Sequence, residues 1–352
     1  MTEFGKWGRR ICGALCGGLM GLAAGLMPLA AQDLRLPLQQ GQPDLALFAL
    51  SRSETQISQL GQFLLARQGF RHQPGGPALQ TLSRGRLLVP TLRHDPNIND
   101  GIPADRITLG GLAFIVTPES RAKEALLIGV QYSGWQSWSY APGARLRLSQ
   151  SLSAELEPTH GYHHAGAGLR LCAEHPVAAW TWTDACLAAS AQYDGRDTQG
   201  AFTATLGARH LFQSGAGSHQ IGFSLGTTAT EGYRKEVVQL SHQVLTDHAG
   251  MWSLGYAWGE EIQGENTMRR RLSLDWTGEV AGRLVTLSLS ETHFGGGALF
   301  GMARDERRTR AGVTLPVGPL DIGSWIETRD ASIDAWRGTD MGLSVSFRMN
   351  LL

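Results

Sequence analysis

Lysine is almost missing from this chain: beyond Lys6 there are only Lys123 and Lys235, and the remaining positive charge is arginine. Neither sign dominates, since 31 basic residues face 31 acidic ones for a formal net charge of zero. The two signs are interspersed, which excludes the basic face that a nucleic-acid partner requires. Charge as a whole is sparse at 18%, yet no segment after residue 31 is long and apolar enough to be a transmembrane helix. Glycine is abundant at 45 residues and tryptophan frequent at 10. That combination fits neither an ordinary soluble domain nor a helical membrane protein.

Cysteine is scarce too, with four in all. Cys12 and Cys16 lie in a leader: Lys6, Arg9 and Arg10 precede an apolar, glycine-rich run over residues 11–24, and Ala30 and Ala31 close it. Residues 1–31 read as a secretory signal peptide. The alternative is a membrane anchor, for which the glycine-broken run falls short of the ~20 apolar residues a span needs. Lipidation is not expected, because Cys12 follows Ile11 and Cys16 follows Leu15 rather than a small residue.

Cys172 and Cys186 remain, an even number for an oxidising periplasm, and they permit a disulfide. If the chain turns near Pro176, Cys172 lies opposite about Thr181, and Cys186 is displaced by roughly 17 Å at ~3.4 Å per residue. A bridge cannot reach that far. On this reading a disulfide requires residues 173–185 to be a loop, and both options stay open.

Residues 32–85 have their own texture. Leu45, Leu47, Phe48, Leu50, Ile57, Leu60, Phe63, Leu64 and Leu65 recur near helical spacing until Pro74, Gly75 and Gly76 break the pattern. The spacing predicts two short helices at most. A segment this small is marginal as a domain and reads as a periplasmic docking piece.

From residue 86 the period changes to two. Arg145, Arg147, Ser149, Ser151, Ser153, Glu155 and Glu157 alternate with Leu146, Leu148, Gln150, Leu152, Ala154 and Leu156 over one long strand. Similar half-apolar runs follow to the C-terminus. Short connections such as 140–143, 246–250 and 316–319 alternate with longer polar ones such as 97–124, 259–269, 294–307 and 329–340. Short periplasmic turns alternating with longer external loops are the layout of outer-membrane barrels, and the runs sum to about fourteen strands. The expected fold is all-β: a transmembrane antiparallel up-and-down β-barrel over residues 86–352, behind a short helical periplasmic segment.

The final run, residues 340–352, closes it. Leu343, Val345, Phe347, Met349 and Leu351 share one face, and Ser344, Ser346, Arg348 and Asn350 the other. A barrel needs a last strand that pairs with the first. The run resembles the C-terminal signal of bacterial outer-membrane proteins in its Gly342, Val345 and Phe347, which implies the barrel assembly machinery and outer-membrane lipid as partners. Trp180, Trp182, Trp252, Tyr256, Trp258, Trp276 and Trp325 are expected near strand ends as an interfacial belt.

Chemistry is thin. His160, His163 and His164 form the one histidine cluster, with no carboxylate or thiol at ligand spacing, and read as a loop cluster. Ser241 and His242 adjoin, as such pairs do by chance. Gly295, Gly296 and Gly297 lack a strand-to-helix context and read as a loop hinge. No catalytic, cofactor or metal residue is assigned. Arg145, Arg147, Glu155 and Glu157 are candidates to line a lumen, either as a water-filled wall or as a guide for a charged passenger.

One stretch carries a family resemblance. Asp95, Asn97 and Asn99 match an Asp-x-Asn-x-Asn segment, and Leu112, Phe114, Pro118, Ser120 and Arg121 match a later Leu-x-Phe…Pro-x-Ser/Ala-Arg stretch. Both are similar to the surface lipoprotein assembly modifier family. The resemblance implies a fourteen-stranded outer-membrane barrel that helps a lipoprotein passenger reach the cell surface. Its members precede the barrel with tetratricopeptide repeats, whereas residues 32–85 hold little more than one repeat of 34 residues. A porin-like channel for small solutes is the alternative function. The apolar stretch Leu112–Val116 is expected to fold the 97–124 loop inward.

Overall fold

The computed structural model describes residues 34–351 apart from 54–57, 100, 110, 160, 196, 216, 300 and 348. The leader, His160 and Arg348 lie outside the described residues.

Among the described residues three helices precede the strands, one more than the spacing predicts: α1 (Arg35–Gln39), α2 (Pro43–Ser53) and α3 (Gln59–Arg67). Pro43 opens α2 with Asp44 in its first turn and Arg52 in its last, an order that suits the helix dipole. Ser58 caps α3 by accepting the Gly61 N–H at 3.2 Å.

The wall begins with β1 (Gln80–Asp95), earlier than residue 86. A hairpin of β2 (Arg106–Leu109) and β3 (Leu112–Ile115) intervenes before β4 (Ala125–Ala141), β5 (Ala144–Leu156), β6 (His163–Ala178), β7 (Thr181–Tyr193) and β8 (Thr198–Ser214). Then follow β9 (Gly217–Thr230), β10 (Arg234–Leu245), β11 (Met251–Gly259), β12 (Thr267–Val280), β13 (Arg283–Leu299), β14 (Met302–Val317) and β15 (Leu320–Ala331). β16 (Gly338–Phe347) and β17 (Met349–Leu351) run one after the other along β1 and complete the ring. The result is a closed, all-antiparallel barrel of fourteen strands.

Opposed residues share a face, so the ladder fixes what points inward. Arg147, Cys172, Cys186 and Thr205 lie opposite one another in turn on the inner face. The outer face is apolar: Leu206 is 67% exposed, Met341 65% and Leu343 60%. Large aliphatic side chains held out from a closed sheet on every side are a lipid-facing belt. No helix among the described residues is long enough to cross a membrane, and the strands make the crossing. The molecule is a transmembrane β-barrel of the outer-membrane kind.

Several local expectations shift. The turn expected near Pro176 lies instead at Ala179 and Trp180, where Trp180 takes a φ of 56°. Pro176 sits in β6 beside an irregularity between Pro176 and Ala178, where a residue without an N–H is tolerated. Cys172 therefore falls directly opposite Cys186, with Cα atoms 4.1 Å apart, and the two are joined as a disulfide across an ordered hairpin rather than a loop. The glycine run is not a hinge either. Gly295, Gly296 and Gly297 lie in β13 at a register shift, and a Cβ on Gly296 would sit 2.3 Å from the Ile262 carbonyl oxygen where a loop crosses it. Trp252, Tyr256, Trp258 and Trp276 face outward as expected, but Trp182 and Trp325 face the lumen and Trp180 packs on Phe48.

Candidate functional site: the lumen and its helical insert

The helices are not a separate docking piece; they enter the barrel. Leu36, Leu45, Phe48 and Ala49 form one buried cluster with Trp182, Leu211, Leu245 and Met251. These four wall residues face inward at strand ends beside the short turns. Burying Leu45 and Phe48, 0% and 1% exposed, contributes about 1.5–3 kcal/mol each. Further contacts spread the insert across the mouth. Gln40 Nε2 donates to Thr277 Oγ1 at 3.1 Å on β12, and the Gly143 N–H donates to the Gly69 carbonyl at 3.0 Å near β4.

A buried ionic quartet fastens α2 to the wall. Asp44 Oδ2 accepts from Arg145 Nη2 at 2.8 Å and from Arg209 Nη2 at 2.9 Å. Glu174 Oε2 accepts from the same two arginines, at 2.9 Å from Arg209. The Arg209 guanidinium also lies 5.1 Å from the Trp182 ring centre. Two carboxylates and two guanidiniums balance, which is what allows Asp44, Arg145 and Glu174 to be buried and Arg209 half-buried.

Between the insert and the β4–β8 wall remains a cavity of about 890 Å³, lined by Arg67, Ser137, Arg147, Ser149, Arg170 and Asp184 among others. It continues toward a second space of about 650 Å³ reached by Gln220, Gln239 and Arg271. Arg147, Arg170 and Arg271 have no carboxylate within ion-pair distance among the described residues.

Three of the four lumen candidates, Arg145, Arg147 and Glu155, lie on the inner face, in different roles. Arg145 belongs to the quartet and Arg147 faces open space. Glu155 pairs with Arg93 at 2.8 Å, and Arg93 with Asp95 at 2.6 Å. Glu157 lies just past β5, where its carboxylate accepts the Thr159 N–H at 2.7 Å and fixes the turn. Nothing in the sequence singles out Asp44, Glu174 or Arg209: small residues blur the faces of the run over 164–173, and Glu174 reads as the start of a short connection but lies within β6.

The family-motif residues build the base of the 96–124 connection. The Asn97 N–H donates to Asp95 Oδ1 at 2.9 Å, and its amide exchanges bonds with Gly101 at 2.9 and 2.7 Å. Asn99 bonds the Arg121 carbonyl at 2.7 Å and the Lys123 N–H at 2.8 Å. Arg121 reaches the Val116 carbonyl and Asp105, and Pro118 opens a short 3₁₀ turn. This stitching closes the loop on itself. Leu112, Phe114 and Ile115 stay exposed, Ile115 at 75%, so the apolar tip is left uncovered rather than packed away.

At the C-terminal strand Gly342 faces inward, and a Cβ there would sit 2.4 Å from the Trp325 ring that lies across it. Val345 opposes Leu92 of β1, and Phe347 opposes Leu320. His163 and His164 point to opposite faces, as do Ser241 and His242, and no group of metal-ligating side chains gathers among the described residues.

No protein-family model and no curated protein sequence matches the chain. Solved structures similar in fold include OccK10 (OpdN) of Pseudomonas aeruginosa, at 12% identity over 78% of this chain and 100% of that one, TM-score 0.40. OccAB2 of Acinetobacter baumannii gives 8% identity over 77% and 98%, TM-score 0.42. Salmonella typhi OmpF in complex with daunomycin gives 12% over 76% and 97%, TM-score 0.38. Scores this low carry no argument about substrate or mechanism.

Proposed function

We propose that this chain is a porin-like outer-membrane channel for small solutes, set with its helix end toward the periplasm and narrowed there by its own N-terminal helices. The observation that supports this most is the inner face itself. Arg147, Arg170 and Arg271 line connected space with no carboxylate in ion-pair contact among the described residues, as a hydrated pathway for charged solutes requires. Refolded protein in planar bilayers is expected to conduct. Arg147→Glu with Arg170→Glu is expected to move the reversal potential in a salt gradient toward cations relative to the parent. A silent barrel, or one whose selectivity ignores both substitutions, would sink the reading.

A second reading keeps the lipoprotein passenger. It is favoured by the β2–β3 hairpin, whose Leu112, Phe114 and Ile115 stand exposed at the long-loop end. Against it, the resemblance residues Asp95, Asn97, Asn99 and Arg121 are spent on the loop's own backbone and Asp105. Deleting the gene and finding every surface lipoprotein still open to added protease would leave the channel alone.

A further inference from the structure

One patch on the outer wall breaks the apolar belt. Arg84 and Arg86 of β1 alternate with the inward Ser83 and Gly85, so both point away from the lumen. Arg84 lies opposite Gln136, and Arg86 opposite Gly134. On the next strand Gln150 lies opposite Gly134, and Leu148 opposite Gln136. Together they line a recess of about 590 Å³. Gly134 forms its floor: a Cβ there would meet Gln150 Nε2 at 2.8 Å and Tyr132 Oη at 2.9 Å. Gln150 is itself held by a 3.0 Å bond to Tyr132 Oη. Neither arginine has an ion pair or hydrogen-bond partner among the described residues.

The recess is not in the water beyond the belt. Toward the helix end the outward residues are Trp138 and Tyr140 on β4 and Leu146 on β5. Toward the long loops they are Leu88 on β1, Val130 and Ile128 on β4, and Leu152 on β5. Two guanidiniums are thus placed at the edge of the lipid-facing surface, where an unpaired arginine is destabilising and more so toward the midplane. An anion brought by the bilayer removes that cost, and a phosphate accepts from guanidinium forks and amide N–H groups alike.

We propose that this recess binds the phosphate of an anionic membrane phospholipid. Arg84 and Arg86 grip the phosphate, Gln136 and Gln150 donate to its remaining oxygens, and the acyl chains run along Leu88, Val130 and Leu152. The site lies on the face opposite the lumen, so it is read whether or not the barrel conducts.

The test is native mass spectrometry of full-length protein and an Arg84→Gln/Arg86→Gln variant, each confirmed as folded by heat-modifiable gel mobility. Both are released from mixed micelles containing phosphatidylglycerol or phosphatidylcholine. The parent is expected to retain phosphatidylglycerol in preference to phosphatidylcholine. The variant should bind it about thirtyfold more weakly, at ~1 kcal/mol per arginine. Equal retention by both proteins overturns the proposal, and so does equal retention of the two lipids by the parent, which decides the matter alone if the variant does not refold. Displacement of the lipid by millimolar inorganic phosphate assigns the recess to a free anion and overturns the lipid. A parent dimer that the variant loses assigns it to a second copy of the chain, with the same consequence.

Discussion

Replacing Asp44 by Ala is expected to turn a restricted conductance into one with frequent larger openings, and adding Phe48→Ala to make the larger conductance steady. Asp44 is the insert's one contribution to the quartet, the other three members being wall residues. Without it Arg145 and Arg209 share Glu174 alone, and breaking such a buried set costs about 3–5 kcal/mol. The apolar anchors oppose release, since Leu36, Leu45 and Phe48 each contribute about 1.5–3 kcal/mol. Together the anchors contribute about 4.5–9 kcal/mol, more than the loss. The single variant should therefore loosen the insert without expelling it. Removing the Phe48 ring, 1% exposed and 5.0 Å from the Trp180 ring, costs a further ~3–5 kcal/mol and tips the balance. Single-channel recording measures the openings, and limited proteolysis within residues 34–79 reports the release. An unchanged conductance in the double variant, with the barrel still folded by gel mobility, would rule out the helices as the restriction.

Glu306→Ala is expected to cost about 1.5–3 kcal/mol of stability, concentrated at the long-loop end. Its side chain is 0% exposed and pairs with Arg304 at 3.0 Å and with Arg308. Those guanidiniums lie 3.9 Å from the Trp336 ring centre and 4.7 Å from that of Phe294. Removing one carboxylate leaves two cations facing each other under aromatic cover. Glu306→Gln, which keeps an acceptor, should lose less. Urea unfolding in micelles checks the order, and an Ala variant as stable as the parent would show that the aromatic faces suffice. High salt should recover part of the loss, because the Arg304 and Arg308 side chains left behind are 21% and 34% exposed and open to screening.

How much of this was legible in the chain depends on distance along it. The strand that opens at Arg145 and the pairing run at the C-terminus rest on neighbours two residues apart, and both are where the sequence places them, whereas the long connection expected over 294–307 is strand instead, β13 running to Leu299 and β14 starting at Met302. The candidate site is another matter. Asp44, Arg145, Glu174 and Arg209 come from a helix and three strands, and no spacing announces them. The outward Arg84 and Arg86 hid the start of β1, since a strand that is polar on its lipid face loses the alternation by which it is recognised.

The sequence by itself determined the period, the approximate number of strands and the polarity of each face, because these are local consequences of a backbone that turns its side chains alternately up and down. Only the tertiary structure decided the rest. An irregularity of one residue, as between Pro176 and Ala178 or between Phe294 and Gly297, changes which residues oppose one another, and a slip of one reverses every face beyond it. The disulfide, the inward tryptophans and the entry of the helices into the mouth all depend on that register. It is set by closing the whole ring, with β16 and β17 paired to β1, rather than by any one strand.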